Sequence, residues 1–373
     1  MHEKIYAIIP TNRCNLRCSY CYSSSSLSAL DMPEKVIGPT IDHIIQDIIK
    51  NDINPIRIIF EGNEPSLVFS TVEKIVIELK KRIKNRDLRF AFFSNLQYCD
   101  NDILDFLKNN NISLHTSIDG PEFLHDKHRG EGSFKKSSFW IKQAKNKGVY
   151  VSSSCTVCKD SMPYFKQIVD TILDLGIVNF DFRYLHKLGG GKINWDNLGY
   201  TPLEFINFYK KAINYVFYLN FKGHKIIETK SCFIYNKLNG YKKLVEFLSP
   251  PCDGFKYQLL YDPSGDIYTC DEGRNDSDIF KIGDVFRGIN SEKVSNFYKT
   301  VDLAKTSCKS CEINSFCGPC IAINSPVSKN CEEKCVVTKF LIYYMGNLIK
   351  DKKIKDLFES YIPDSLKNHD IKT

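Results

Sequence analysis

At 373 residues the chain has room for about two domains of 150 residues each, and 43% apolar with 25% charged residues describes a globular protein rather than a disordered one. The N-terminal apolar run is too short for a secretory signal and no run approaches the roughly 18 residues of a membrane span, so a soluble, cytoplasmic chain without a membrane partner is expected. The net charge of +7 comes from lysines scattered among Asn and Ile, which reads as solvated faces and not as a nucleic-acid surface, while fifteen cysteines in a reducing compartment point to metal ligation rather than disulfides.

Short β-branched or aromatic runs alternate with longer amphipathic ones up to about residue 222. Strands are predicted over Ile5 to Ile9, Ile56 to Phe60, Arg89 to Phe93, Ser113 to Ile118, Tyr150 to Cys155 and Asn179 to Arg183. Helical periodicity fills the intervals, as in Glu34 to Lys50, where Ile37, Ile41, Ile44, Ile45, Ile48 and Ile49 recur at helical spacing. Six strand–helix units in regular alternation imply a parallel sheet with right-handed crossovers. An open, partial (β/α)6 TIM-like barrel is the economical arrangement of this α/β chain.

In such barrels the chemistry sits on the loops after the carboxyl ends of the strands, and four of these loops carry polar, glycine-bearing or cysteine-bearing sequence. After strand one comes Cys14-Asn15-Leu16-Arg17-Cys18-Ser19-Tyr20-Cys21. Three thiolates on one short loop can grip a metal and leave one position open, which is what catalysis needs and a closed structural site lacks. Chance spacing, or zinc with a distant fourth ligand, is the alternative at this point. Glu61-Gly62-Asn63-Glu64-Pro65 follows strand two, Ser94-Asn95-Leu96 strand three, and Ser117-Ile118-Asp119-Gly120-Pro121 closes strand four. Asn95 and Asp119 could equally cap turns.

Further along, His125-Asp126-Lys127-His128-Arg129 reads as a loop in which Arg129 can pair with a carboxylate. Cys155 and Cys158 have CxxC spacing without a second pair nearby and read as a buried pair. Leu188-Gly189-Gly190-Gly191-Lys192 lacks the features of a phosphate loop and reads as a flexible connection. A helix is expected from Pro202 to about Phe221, after which the periodic pattern stops. The division expected is 1–222 for the barrel, 223–251 for a linker punctuated by Pro250-Pro251, 252–350 for a small cysteine-rich domain and 351–373 for a C-terminal helix and tail.

The cysteine-rich part carries Cys252, Cys270, Cys308, Cys311, Cys317, Cys320, Cys331 and Cys335. Its spacing is C-x12-G-x4-C, a gap, CxxC-x5-C-xx-C, a gap and a final cysteine. Asp262-Pro263-Ser264-Gly265 reads as a hairpin turn leading into Ile267-Tyr268-Thr269, which aims Cys270 inward. Taken alone, this constellation could hold a pair of zinc sites as readily as iron.

The CxxxCxxC loop, with an aromatic before its last cysteine, resembles the radical S-adenosylmethionine superfamily. That resemblance implies a 4Fe-4S cluster on Cys14, Cys18 and Cys21 whose open iron binds the amino group and carboxylate of S-adenosylmethionine. Gly62-Asn63-Glu64-Pro65 is similar to the GGEP motif that holds the cofactor's amino group, with Asn63 departing from the usual glycine. Ser94, Asn95, Ser117 and Asp119 resemble segments that reach its ribose and carboxylate. Tyr20 would lie beside the adenine, and Arg129 would be a partner for the cofactor carboxylate.

The second constellation resembles the SPASM extension, its departure being two rather than three residues between Cys317 and Cys320. By that resemblance Cys308, Cys311, Cys317 and Cys335 hold one auxiliary 4Fe-4S cluster and Cys252, Cys270 and Cys320 another, completed by Cys331 or Cys232 or left open. Asp271 matches the position of a general base in anaerobic sulfatase-maturating relatives; capping a turn beside the cluster is its plain structural alternative.

The resemblance implies reductive cleavage of the cofactor to a 5′-deoxyadenosyl radical and hydrogen abstraction from a peptide or protein substrate, with flavodoxin or ferredoxin as external electron donor. Tyr268 to Arg274 and Phe316 to Cys320 are most similar to maturases of ribosomally made peptides, such as the His-Xaa-Ser and cyclophane-forming groups. An oxidative crosslink in a precursor peptide is therefore the expected reaction. A sulfatase maturase forming formylglycine, and a non-catalytic iron-sulfur carrier or zinc module, are the alternatives.

Overall fold

The structure is a computed structural model and describes residues 3–23, 29–240, 254–306, 308–314, 316–317, 322 and 331–361. Cys252, Cys320 and the side chain of Cys331 lie outside the described residues, as do 241–253 of the expected linker region and 362–373 of the tail.

The six predicted strands form within one residue of their expected ends: β1 Lys4–Ile8, β2 Ile56–Phe60, β3 Leu88–Phe93, β4 Ile112–Ser117, β5 Val151–Thr156 and β6 Asn179–Arg183. Five further strands follow, β7 Ile227–Glu228, β8 Gln258–Tyr261, β9 Asp266–Tyr268, β10 Lys281–Asp284 and β11 Gly288–Ile289. All belong to one eleven-stranded sheet in the order β11-β10-β9-β8-β1-β2-β3-β4-β5-β6-β7. Strands β1 to β8 run parallel to one another, β8 pairs antiparallel with β9, and β9 to β11 continue antiparallel. The sheet therefore continues past residue 222 on both edges: β7 extends β6, and β8 lies against β1 with Tyr261 opposite Ile8.

Alternation along the strands decides which face is packed. Tyr6 and Ile8 of β1 join the main core with Ile44, Ile48, Val72, Ile75 and Leu79 of the crossover helices Glu34–Lys50 and Phe69–Arg82. Ala7 and Ile9 face a second apolar cluster with Leu260, Tyr268, Phe280, Phe297 and Val301. On β6, Phe180 and Phe182 enter the main core while Asp181 and Arg183 occupy the other face. There Ser154 donates to Asp181 at 2.7 Å, Arg183 Nε donates to Ser154 at 2.9 Å, and His115 spans Ser152 and Ser154 at 2.9 and 2.8 Å. A continuous apolar run would pack both faces, so this polar inner face marks the barrel lumen.

Helix starts follow local chemistry. Asp100 accepts from the Ile103 amide at 2.8 Å ahead of Asn101–Asn109, and Thr201 with Glu204 forms a capping box at the start of Pro202–Phe221. Among the described residues, no helix is long and apolar enough to cross a membrane.

Candidate active site

The carboxyl ends of β1 to β4 bring the four singled-out loops together, and side-chain hydrogen bonds tie one loop to the next. Glu64 is fully buried. Its Oε1 accepts from the Ser66 amide at 3.1 Å, the Ser66 hydroxyl at 2.6 Å and the Ser94 hydroxyl at 2.7 Å, and its Oε2 accepts from the Asn95 amide at 2.7 Å. Burial pushes this carboxyl up against the pull of those donors. Glu64 thus locks the loop after β2 to the loop after β3.

Gly62 holds φ at +104°, and a Cβ there would stand 2.7 Å from the Ile9 side chain, so glycine is required for the turn to lie against β1. Asn63 donates to the Asn12 carbonyl and accepts from Ser23 at 2.8 Å. Pro65 starts the short turn Pro65–Val68 behind Glu64.

Cys14, Cys18 and Cys21 are half-buried. The Leu16 amide lies 3.4 Å and Asn95 Nδ2 3.7 Å from Cys14 Sγ. Burial pushes the Cys14 thiol up to about 11 and raises Cys18 and Cys21 as well. Ligation requires the thiolate, so these sulfurs take on charge only against a cation held between them. Half-buried thiols on one loop, with hydrogen-bond donors aimed at sulfur, fit an iron-sulfur cluster. Asn95 and Ser117 stay half-exposed at the carboxyl ends of β3 and β4.

Other predicted cofactor residues face inward. Tyr20 buries its ring, donates its hydroxyl to Asp119 Oδ2 and carries the Arg129 guanidinium 5.4 Å from its ring centre. Arg129 Nε donates to the same Asp119 oxygen at 2.7 Å, and Oδ1 accepts from the Thr156 amide at 3.0 Å. Burial pushes the Asp119 carboxyl up, but Arg129, His125 and Tyr20 outweigh it and hold it below the usual range. The Arg129 segment is a helix, Glu122–Arg129, rather than the expected loop, and the carboxylate it pairs with is the protein's own.

Cys155 and Cys158 are buried, as expected of a structural pair. Cys158 has its sulfur close to His128 and Asp160, with ligand atoms within 4.8 Å of one another. Asp160 already takes His128 Nε2 at 3.0 Å and Lys127 Nζ at 2.5 Å, which makes the group a strut. The glycine run, expected to be flexible, forms the short helix Gly189–Ile193 against the cysteine loop.

Asp271 comes to the first cysteine loop from far along the chain. Tyr22, next to Cys21, donates its hydroxyl to Asp271 Oδ2, and Arg274 lies 3.3 Å from Oδ1 while donating to Asn12 at 2.6 Å. Tyr22, Asp271 and Arg274 line a polar cavity of ≈200 Å³ with Ser23, Asp262, Tyr268 and Asn275. Glu61 shares the electrostatics of the site: burial, then the charges of Asp271 and Glu272, push its carboxyl up to about 8 against Arg183 and Arg274. Tyr22, Arg274, Asn12 and Glu61 were not singled out from the sequence for this role. The available signal was adjacency, Tyr22 to Cys21 and Arg274 to Asp271 by one short turn, Glu272–Asn275.

Cys270 accepts from the Gly273 amide at 3.3 Å beside this cavity. Cys308, Cys311 and Cys317 lie on tight turns, with the Cys311 amide donating to Cys308 at 3.0 Å and the Cys317 amide to Ile313 at 2.9 Å. Cys335 lies on the helix Cys331–Leu348. Cys232 lines a separate cavity of ≈120 Å³ with Asn179, Ile227, Phe358 and Tyr361, and among the described residues no second cysteine lines it.

The Radical SAM superfamily model matches residues 8–176. The chain is 30% identical over 183 residues to the uncharacterized protein MJ0907 of Methanocaldococcus jannaschii, covering 47% of this chain and 60% of that one. It is 23% identical over 337 residues to the radical SAM cyclopropyl synthase TigE of Paramaledivibacter caminithermalis, covering 86% of this chain and 68% of that one. Among solved structures, native anSMEcpe with bound AdoMet and Kp18Cys peptide shares the fold at a TM-score of 0.75 and 18% identity, over 94% of this chain and 99% of that one. SuiB of Streptococcus suis bound to precursor peptide SuiA does so at 0.64 and 16% identity, over 90% and 76%.

Proposed function

Since residues 8–176 form a radical SAM domain, we propose that this chain is a peptide or protein maturase that oxidatively crosslinks residues of a ribosomally made precursor. The observation that carries the reading is the hydrogen bond from Tyr22 to Asp271, which joins the three-cysteine loop to the second cysteine group across one polar cavity. A radical centre and a proton acceptor must both reach the reacting part of one substrate, and this contact brings the two loops to one opening. The likeness to TigE over most of the chain supports a peptide substrate, as do the fold's neighbours bound to peptides.

In this reading Cys14, Cys18 and Cys21 hold the first cluster. Bound there, cluster and S-adenosylmethionine supply the one-electron chemistry that starts hydrogen abstraction. Asn95 and Ser117 line the cofactor rim, and Gly62 lets the backbone of its turn approach. Asp271 accepts the substrate proton, held in place by Tyr22 and Arg274. Cys308, Cys311, Cys317 and Cys335 would hold one auxiliary cluster, and Cys270 with Cys252 and Cys320 a second, where they would supply a one-electron acceptor. An external flavodoxin or ferredoxin supplies the first electron.

Anaerobic reconstitution with iron and sulfide tests this. About twelve irons per chain, three cubanes by ligand count, with 5′-deoxyadenosine formed on adding dithionite and S-adenosylmethionine, support it. Cys18→Ala should abolish 5′-deoxyadenosine and keep the iron of the auxiliary sites; continued cleavage in that variant overturns the assignment of the loop. Formylglycine in a Cys-containing test peptide would move the reading to a sulfatase maturase, and zinc in place of iron to a binding module.

A further inference from the structure

After β6 the chain returns to the cysteine loop and grips it. Gly190 N–H donates to the Cys21 carbonyl at 2.6 Å, and Asn194 Nδ2 donates to the Ser19 carbonyl at 2.7 Å. The approach is too close for a side chain: a Cβ would stand 2.5 Å from the Cys21 carbonyl oxygen at Gly189 and 2.7 Å from the Ser19 oxygen at Gly190. From the other flank, the Ser19 amide donates to the His128 carbonyl at 2.9 Å, and the Ser19 hydroxyl meets His128 Nδ1 at 3.1 Å. Arg17 donates to the Cys14 and Leu16 carbonyls, both at 2.8 Å.

The carbonyls of Ser19 and Cys21 are thus held by donors outside the loop, Asn194 and Gly190, and those of Cys14 and Leu16 by Arg17 within it. In a planar trans peptide the carbonyl and the following N–H point opposite ways. Pinning the Ser19 and Cys21 carbonyls turns the N–H groups of Tyr20 and Tyr22 away from the clamp. Backbone N–H dipoles and hydrogen bonds near cluster sulfurs favour the more negative, reduced state and so raise the reduction potential.

We propose that Gly190 and Asn194 are positioning residues that hold the peptides of the cysteine loop in one orientation, and through them set the reduction potential of the cluster on Cys14, Cys18 and Cys21. The inference rests on the cluster assignment made above.

The test compares wild type with Asn194→Ala as full, reconstituted chains. The readouts are the electron paramagnetic resonance signal of the reduced first cluster, its midpoint potential by redox titration, and the melting of the cluster-free chain. Asn194→Ala should lower the midpoint potential of the first cluster alone and alter its signal, with the cluster-free melt unchanged. Gly190→Ala should exceed it in the same direction; where that variant does not fold, Asn194→Ala decides. Unaltered potential and signal in Asn194→Ala, beside a wild type that cleaves the cofactor, overturns the clamp alone. A wild type that takes up no iron overturns the cluster assignment and the clamp with it.

Discussion

Two tyrosines of one loop, Tyr20 and Tyr22, each reach an aspartate that is paired with an arginine, and the two groups have opposite uses. Tyr20 donates to Asp119, which Arg129 holds at 2.7 Å; Tyr22 donates to Asp271, which Arg274 holds at 3.3 Å. Both Asp119 oxygens are filled by the protein, Oδ2 by Tyr20 and Arg129 and Oδ1 by the Thr156 amide. The Asp271 group opens on a polar cavity of ≈200 Å³. The same three residue types therefore serve as a bolt in one place and as a candidate site in the other. What separates them is whether the carboxylate borders packed chain or a space that a substrate can enter.

The bolt is the larger energy. Asp119→Asn leaves Arg129 buried, 8% exposed, without its counter-charge, and removing one partner of a buried pair costs about 3–5 kcal/mol. Denaturant unfolding of the cluster-free chain should read that loss, and an Asp119→Asn chain as stable as wild type would remove the bolt. Asp271→Asn should instead leave the unfolding curve close to wild type. With a peptide substrate in hand it should slow product formation by about 100-fold or more, the usual contribution of a general base, and change S-adenosylmethionine cleavage far less. Equal losses in cleavage and product would make Asp271 a second bolt.

The barrel strands and the loops that carry chemistry were legible because each rests on local pattern: β-branched runs for β1 to β6, and cysteine or glycine spacing at their carboxyl ends. Strands β7 and β8 were not legible, since Ile227–Glu228 is two residues long and Gln258–Tyr261 four, too short to show a period, and each is a strand only through a distant partner. The glycine run was misread for a physical reason. Glycines that grant flexibility and glycines that permit close approach look alike until the Ser19 and Cys21 carbonyls are placed against them. The motif residues Glu64, Asp119 and Tyr20 were found by spacing, but their inward direction depends on Ser94, Arg129 and other residues that only the fold assembles.

The comparison is sharpened most specifically by Glu61. Its carboxyl, ordinarily near 4.5, is raised to about 8 by burial and by the charges of Asp271 and Glu272. The folded chain therefore keeps a proton that the unfolded chain releases from about pH 4.5 upward, and stability falls as pH rises through the interval to about 8. Glu61→Gln keeps the neutral shape and should abolish this slope. Its melting temperature should match wild type near about pH 5 and exceed it by several degrees at about pH 8.5, the raised carboxyl being worth about 4 kcal/mol across that interval. Asp271→Asn removes one of the charges acting on Glu61 and should flatten the same slope in part, whereas Asp119→Asn should lower stability and leave the Glu61 slope in place. A wild-type slope surviving intact in Glu61→Gln would assign the titration to another group and detach Glu61 from the cavity, while equal flattening by the two aspartate variants would erase the distinction between bolt and site.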